Sequence, residues 1–365
     1  MPQYTLIKEN PNLFEGYILF THLVAIDQNR NLPNLNNPIG SARNPETYDS
    51  KSKEQGTFLI MMDSMGEIVW YDKVNENIRP FNWTRNGTII VVQGERFLRE
   101  YDVFGNLLLE FKRDDFDGGI NFDRDAMIDQ NNNIVALAYD KNEKMKLVGH
   151  KDEIKLYQDV INVIDREGKV LNSWKFTKID SLHSHKSTYS KQQNANSIYL
   201  DENDGNYIVS FRDVNQIWKI DAQNGEPIWK LGEGGNIAVD EEVQFKGQHN
   251  ASKSINGDIL VFDNGLNHKK RKTNDILDMR SRGLGFTVDE HNRVAKNSVS
   301  IELGKDYSSL QQSSFTQIND NLFLFCSSYN HRIFFTDRLG NILWEFDNLV
   351  SSFKVEYIPS FFDVR

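Results

Sequence analysis

One unit recurs along the 365-residue chain and limits what it can fold into: an apolar strand, an Asp, two residues, a Gly or Asn, and a second strand ending in Trp or Phe. The copies are "MMDSMGEIVWY" (61–71), "EYDVFGNLLLEF" (100–111), "VIDREGKVLNSWKF" (163–176), "KIDAQNGEPIWKL" (219–231) and "FTDRLGNILWEF" (335–346). A degenerate copy, "TVDEHNRVAKNSVSIEL" (287–303), has Asn292 near the Gly position. Each reads as a β-hairpin, because Asp and Gly suit a tight turn and the alternating strand after it presents one apolar face.

A second element, an Asn- or Gly-rich turn with a strand, precedes five of these hairpins. Its copies are "RNGTIIVVQG" (85–94), "QNNNIVALAYD" (130–140), "ENDGNYIVSFRD" (202–213), "INGDILVFDNG" (255–265) and "INDNLFLFCSS" (318–328). In the first unit "GTFLIMMD" (56–63) takes that place. A single four-stranded unit cannot bury both its faces. Six copies therefore predict an all-β chain, a six-bladed β-propeller with loop insertions and little helix. The whole of 1–365 reads as one propeller domain. The polar stretch 22–55 is expected to be a long loop or lid within or before the first blade. Extra length near 141–158, 177–193 and 266–281 should form loops on the blade faces, where function is usually placed.

The net charge of −10 argues against nucleic acid or an acidic membrane as the main partner. The basic run "HKKRK" (268–272) reads as a solvated loop. Cys326 is the single cysteine, so no intrachain disulfide can form, and "LFLFCSS" is a setting for a buried thiol. No apolar run reaches the length of a membrane span, and "MPQYTLIKENPN" does not read as a signal peptide. The expected location is the cytoplasm, with export after loss of a leader as the alternative.

Several polar residues stand at equivalent places in the repeat. The fourth blade opens "NANSIYLDENDGNYIVSFRD" (194–213), with Asn194 and Asn196 entering its first strand and Arg212 ending its second. The fifth opens on Gln248, His249 and Asn250 and ends its second strand in "FDNG" (262–265). The third opens "NFDRDAMIDQNNN" (121–133), with Arg124 there. Alone, His249 reads as a partly exposed loop histidine. In a propeller, however, the first strand of each blade lines the central channel. Arg124, Asn194, Asn196, Arg212 and His249 should then converge as a cationic, hydrogen-bonding pocket suited to an oxyanion. No His, Cys or carboxylate spacing specifies a metal, and Asp263 reads as a turn cap.

The ordered run "NSIYLDENDGNYIVSFRDVNQIWKIDAQNGEPIWKLG", "QHNASKSINGDILVFDNG" and "SRGLGFTVDE" resembles the bacterial-type arylsulfotransferases, which are six-bladed propellers. The opening "GYILF" and "FLIMMDSMGEIVWY" and the closing "HRIFFTDRLGNILWEF" fit as well. That family moves a sulfuryl group from a phenol sulfate to another phenol without a nucleotide cofactor. The resemblance implies that His249 is the nucleophile, transiently sulfated, and that Asn196 and Arg212 hold the sulfate oxygens. Asn194, Arg124 and Gln248 would line the substrate. The implied partner is a small aromatic or anionic molecule, with neither cofactor nor metal.

Two departures stand out. The family's "HxNSI" reads "NANSI", so Asn194 replaces a histidine, and its "HD" reads "RD", so Arg124 replaces another. A leaving phenolate benefits from a proton donor. Asn194 cannot be one, and Arg124 scarcely gives up a proton. His183 and His185 in "SLHSHKSTYS" are candidates to supply the missing group. The expected function is sulfuryl transfer between phenolic compounds. The alternatives are an anion receptor without turnover, another transfer, hydrolysis or cyclisation in the same channel, and a structural propeller with an incidental cluster.

Overall fold

The Asp-containing turns explain the architecture from the bottom. In the first hairpin Asp63 Oδ1 accepts the N–H groups of Met65 and Glu67, each at 2.9 Å. Asp102, Asp165 and Asp337 repeat the pattern on the residues two and four further on. The side chain thereby replaces a backbone turn partner and sets the hairpin's reversal. The computed structural model describes residues 5–10, 12–24, 56–74, 78–140, 144–145, 154–155, 158–176, 193–266, 280–347 and 352–360.

Six antiparallel sheets form the ring of a six-bladed β-propeller. From the axis outward, blade 1 contains Val355–Ile358, Tyr17–Val24, Gly56–Met62 and Ile68–Val74. Blade 2 is Ile78–Trp83, Ile89–Gln93, Phe97–Tyr101 and Leu107–Lys112, and blade 3 is Asn121–Ile128, Ile134–Asp140, Gln158–Ile164 and Val170–Phe176. Blade 4 is Ala195–Leu200, Tyr207–Phe211, Gln216–Ile220 and Pro227–Gly232, and blade 5 is His249–Lys253, Ile259–Asp263, Arg282–Asp289 and Val294–Glu302. Blade 6 is Ser314–Asn319, Leu322–Ser327, Arg332–Thr336 and Ile342–Asp347, with Thr5–Lys8 paired outside it as a fifth strand. The ring is therefore closed twice, once by each end of the chain. Helix among the described residues is confined to single 3-10 turns.

Blade 1 corrects one expectation. "GTFLIMMD" is not the partner of the first hairpin but its first strand, since the Asp63 turn joins Gly56–Met62 directly to Ile68–Val74. The partner is Tyr17–Val24. Residues 22–24 of the expected 22–55 loop therefore end a strand. Residues 25–55 lie outside the described residues, as do most of the insertions at 141–158, 177–193 and 266–281, where Lys144–Met145 pairs with Ile154–Lys155.

The core lies between blades. Met127, Ile161, Ile198, Val209 and Trp218 pack blade 3 on blade 4, and Phe262, Phe315, Phe325 and Phe334 pack blade 5 on blade 6. Gly283 of "SRGLG" is required there, because a Cβ would come within 2.7 Å of the Phe315 and Phe325 rings. Cys326 is buried, and burial raises its thiol pKa. Strand direction also sorts the connections. The tight turns between first and second and between third and fourth strands fall on one face. The strand ends that flank 25–55, 141–157, 177–192 and 267–279, together with the start of each inner strand, fall on the other.

Candidate functional site

The candidates lie on the insertion-bearing face, where the inner-strand backbone departs from regular β structure. Arg124 (φ 58°), Asn194 (φ 68°) and Asn250 (φ 54°) are left-handed. The ladder to the second strand slips between Ala136 and Ala138 in blade 3, between Ala195 and Ser197 in blade 4, and between His249 and Ser252 in blade 5. A bulge re-aims side chains that regular alternation would bury in the blade, and strained backbone of this kind gathers at functional sites.

Hydrogen bonds then tie the candidates together. Arg212 opens the single 3-10 turn Arg212–Val214 after the second strand of blade 4, and its N–H donates to the Asn194 carbonyl at 3.0 Å. The N–H groups of Asn194 and Ala195 donate to Asp159 Oδ2 and Oδ1 at 3.0 and 3.1 Å. Asn196 Nδ2 donates to the Gln248 carbonyl at 2.7 Å, joining blade 4 to blade 5 one residue before His249. Gln248 is fully buried, and its Nε2 donates to the carbonyls of Phe211 and Gln216 at 3.1 and 3.0 Å.

His249 is 5% exposed, with Nδ1 2.7 Å from Asn264 Oδ1. Asn264 Nδ2 donates to the carbonyls of Ser309 and Gln312, so its Oδ1 must accept. The network thereby assigns the hydrogen to Nδ1 and the lone pair to Nε2. Burial first, then the Arg212 guanidinium and to a lesser degree Arg124, push the pKa down to about 3, against the hydrogen bonding of the ring to Asn264 and to the Gly247 backbone, which favours its protonated form. His249 is therefore neutral at physiological pH, beside two cations. The guanidinium-bearing side chains of Arg212 and Arg124 are only 11% and 19% exposed, leaning on Asp213 and Asp123. Asn264→Ala should leave the ring free to mix tautomers. The nitrogen NMR signals of labelled His249 would report this, and a ring still held purely as Nδ1–H would refute the assignment.

Three groups escaped the sequence reading. Asn264 sits in an Asn-Gly pair that reads as a turn, whereas Asp263 beside it accepts from Lys246 and Gly265 and pairs with Arg282 at 2.7 Å. Asp159 lies in "YQDVINV", which carries no motif. The third is an ionic cluster at the inner strands of blades 1 to 3. Lys354 Nζ donates to Glu356 Oε1 at 2.7 Å and to Asn82 Oδ1, and lies 3.8 Å from Asp125 Oδ1. Asp125 Oδ2 in turn accepts the Ile198 N–H at 2.9 Å. His183 and His185 lie outside the described residues. Among the described residues no three His, Cys, Asp or Glu side chains group as metal ligands, and no helix is long and apolar enough to cross a membrane.

A family model described as arylsulfotransferase matches residues 5–331. No curated protein matches the chain in sequence. Among solved structures, the chain is similar to a protein of unknown function from Bacteroides caccae, at 13% identity and TM-score 0.51, covering 82% of this chain and 93% of that one. It is also similar to virginiamycin B lyase from Staphylococcus aureus, at 9% identity and TM-score 0.42, covering 80% and 81%. At such identities the likeness concerns the fold alone.

Proposed function

The chain belongs to the arylsulfotransferase family, and on that premise we propose that it transfers a sulfuryl group between phenolic compounds through a sulfated His249. The observation that carries the proposal is the buried, neutral imidazole whose Nδ1–H is held by Asn264 beside Arg212 and Arg124. The Nε2 lone pair attacks the sulfur of an aryl sulfate, the sulfur–oxygen bond to the ring breaks, and the phenolate leaves with the electron pair. Arg212 and Asn196 hold the sulfuryl oxygens, where negative charge concentrates. Asn264 Oδ1 steadies the positive charge that the ring acquires on N-sulfation. A second phenol then attacks the same sulfur, its proton passes to solvent, and Nε2 recovers its electron pair. No nucleotide enters either step. Gln248 acts as a brace between blades 4 and 5, and Asn194 and Arg124 border the aryl group.

A second reading, an anion receptor without turnover, draws on one feature. Asn194 and Arg124 leave no efficient proton donor among the described pocket residues for the departing phenolate. Incubation with 4-nitrophenyl sulfate and phenol separates the readings: release of 4-nitrophenolate with a sulfated protein supports transfer, binding without either supports the receptor, and no binding rejects both. Asn194→His should speed phenolate release by roughly 10²-fold or more, because it restores a general acid. Histidine tolerates the left-handed backbone of that position better than most residues. An unchanged rate, with binding retained, would show that departure of the phenolate does not wait for a proton from this position.

A further inference from the structure

The third strand of blade 3 carries a carboxylate that the proposed chemistry leaves unused. Asp159 is 3% exposed, and both its oxygens reach across the blade boundary to the N–H groups of Asn194 and Ala195. Asn194 is the left-handed residue whose carbonyl accepts the Arg212 N–H at 3.0 Å, and Ala195 is followed directly by Asn196. One side chain thus holds the peptide from which the Arg212 turn and the Asn196 strand are both positioned. The charged groups that bear on it are Asp123 and Arg124 of the inner strand of the same blade. Burial is the largest influence and raises its pKa to about 7, with Asp123 adding and Arg124 and the two backbone N–H groups opposing.

We propose that Asp159 is a positioning residue whose ionisation orders the anion pocket, an inference that rests on reading the pocket as an oxyanion site. As a carboxylate it accepts both N–H groups and fixes the entry to blade 4. Once protonated it presents a hydroxyl hydrogen to one of them, and the strained Asn194 peptide loses a restraint. Its folded pKa is raised, so the proton arrives as pH falls through about 7. Anion affinity should therefore increase as pH rises through that value. An anion site built on a titrating histidine shows the opposite trend, but His249 stays neutral down to about pH 3 and supplies no such limb. Arg212 and Arg124 are the cations that bias His249.

Calorimetric titration with inorganic sulfate, an oxyanion with no aryl group to release, between about pH 5.5 and 8.5 tests the proposal. Wild-type affinity should rise roughly tenfold with a midpoint near 7, the order expected for one hydrogen bond to a charged group. Asp159→Asn should bind weakly with a flat profile. Affinity that falls as pH rises, or a profile that Asp159→Asn leaves intact, overturns the proposal. In parallel, the amide signals of Asn194, Ala195 and Arg212 in selectively labelled wild type should step together near pH 7. If sulfate binds at no pH, the pocket reading fails. The amide signals then decide alone: a shared step upholds the positioning role, and its absence removes it.

Discussion

His249→Ala should abolish sulfuryl transfer, lowering turnover of 4-nitrophenyl sulfate by roughly 10⁴–10⁶-fold, as loss of a nucleophile does elsewhere. The same variant should lose the mass increase of about 80 Da that a sulfuryl group adds when it replaces a hydrogen on the nucleophile. The substitution removes the imidazole and leaves Asn264 Oδ1 without its donor inside the protein, which costs about 1–3 kcal/mol of stability. The fold should survive this, so lost turnover reports chemistry. Peptide mapping of the wild type must place the added mass on the peptide containing His249. Sulfation elsewhere, or turnover that persists in His249→Ala, would remove the histidine from the mechanism.

Lys354→Ala should destabilise the folded chain by about 3–5 kcal/mol, because it leaves buried carboxylates without their cation. Burial alone would lower the Lys354 pKa, yet Asp125 and Glu356 raise it above the ordinary lysine range. One ammonium does not compensate two carboxylates, and burial still pushes Asp125 and Glu356 upward. Removing all three charges together, as Lys354→Met with Asp125→Asn and Glu356→Gln, should cost much less than the single change, since no unpaired charge remains. Denaturant unfolding measures both. A Lys354→Ala loss below about 1 kcal/mol would mean that solvent, not the cluster, compensates these groups. Lys354 directly precedes Val355–Ile358, so its loss should also speed amide exchange in the strand that closes the ring.

The six hairpins were legible because their signal is local: Asp63, Asp102, Asp165 and Asp337 each make their turn with residues two to four positions away. Blade 1 departs from the repeat pattern at "GTFLIMMD" because its inner strand, Val355–Ile358, comes from the far end of the chain and no repeat marks it. Among the proposed site residues, His249, Asn196, Arg212 and Arg124 could be singled out because they are polar where the repeat is otherwise strand-forming. Asn264, Asp159 and Lys354 could not. Asn264 is disguised by turn chemistry, and the other two matter only through partners on different blades.

The amino-acid order by itself determined the number of blades, the turn chemistry between their strands and the residue types at each blade start, because these depend on neighbours a few positions apart. The tertiary structure alone decided the double closure of the ring, the neutral charge and tautomer of His249, the grip of Asp159 on Asn194 and the pairing of Lys354 with Asp125 and Glu356. Those properties arise from burial and from charges that meet across blades, and desolvation is set by the assembled fold, not by any stretch of chain within it.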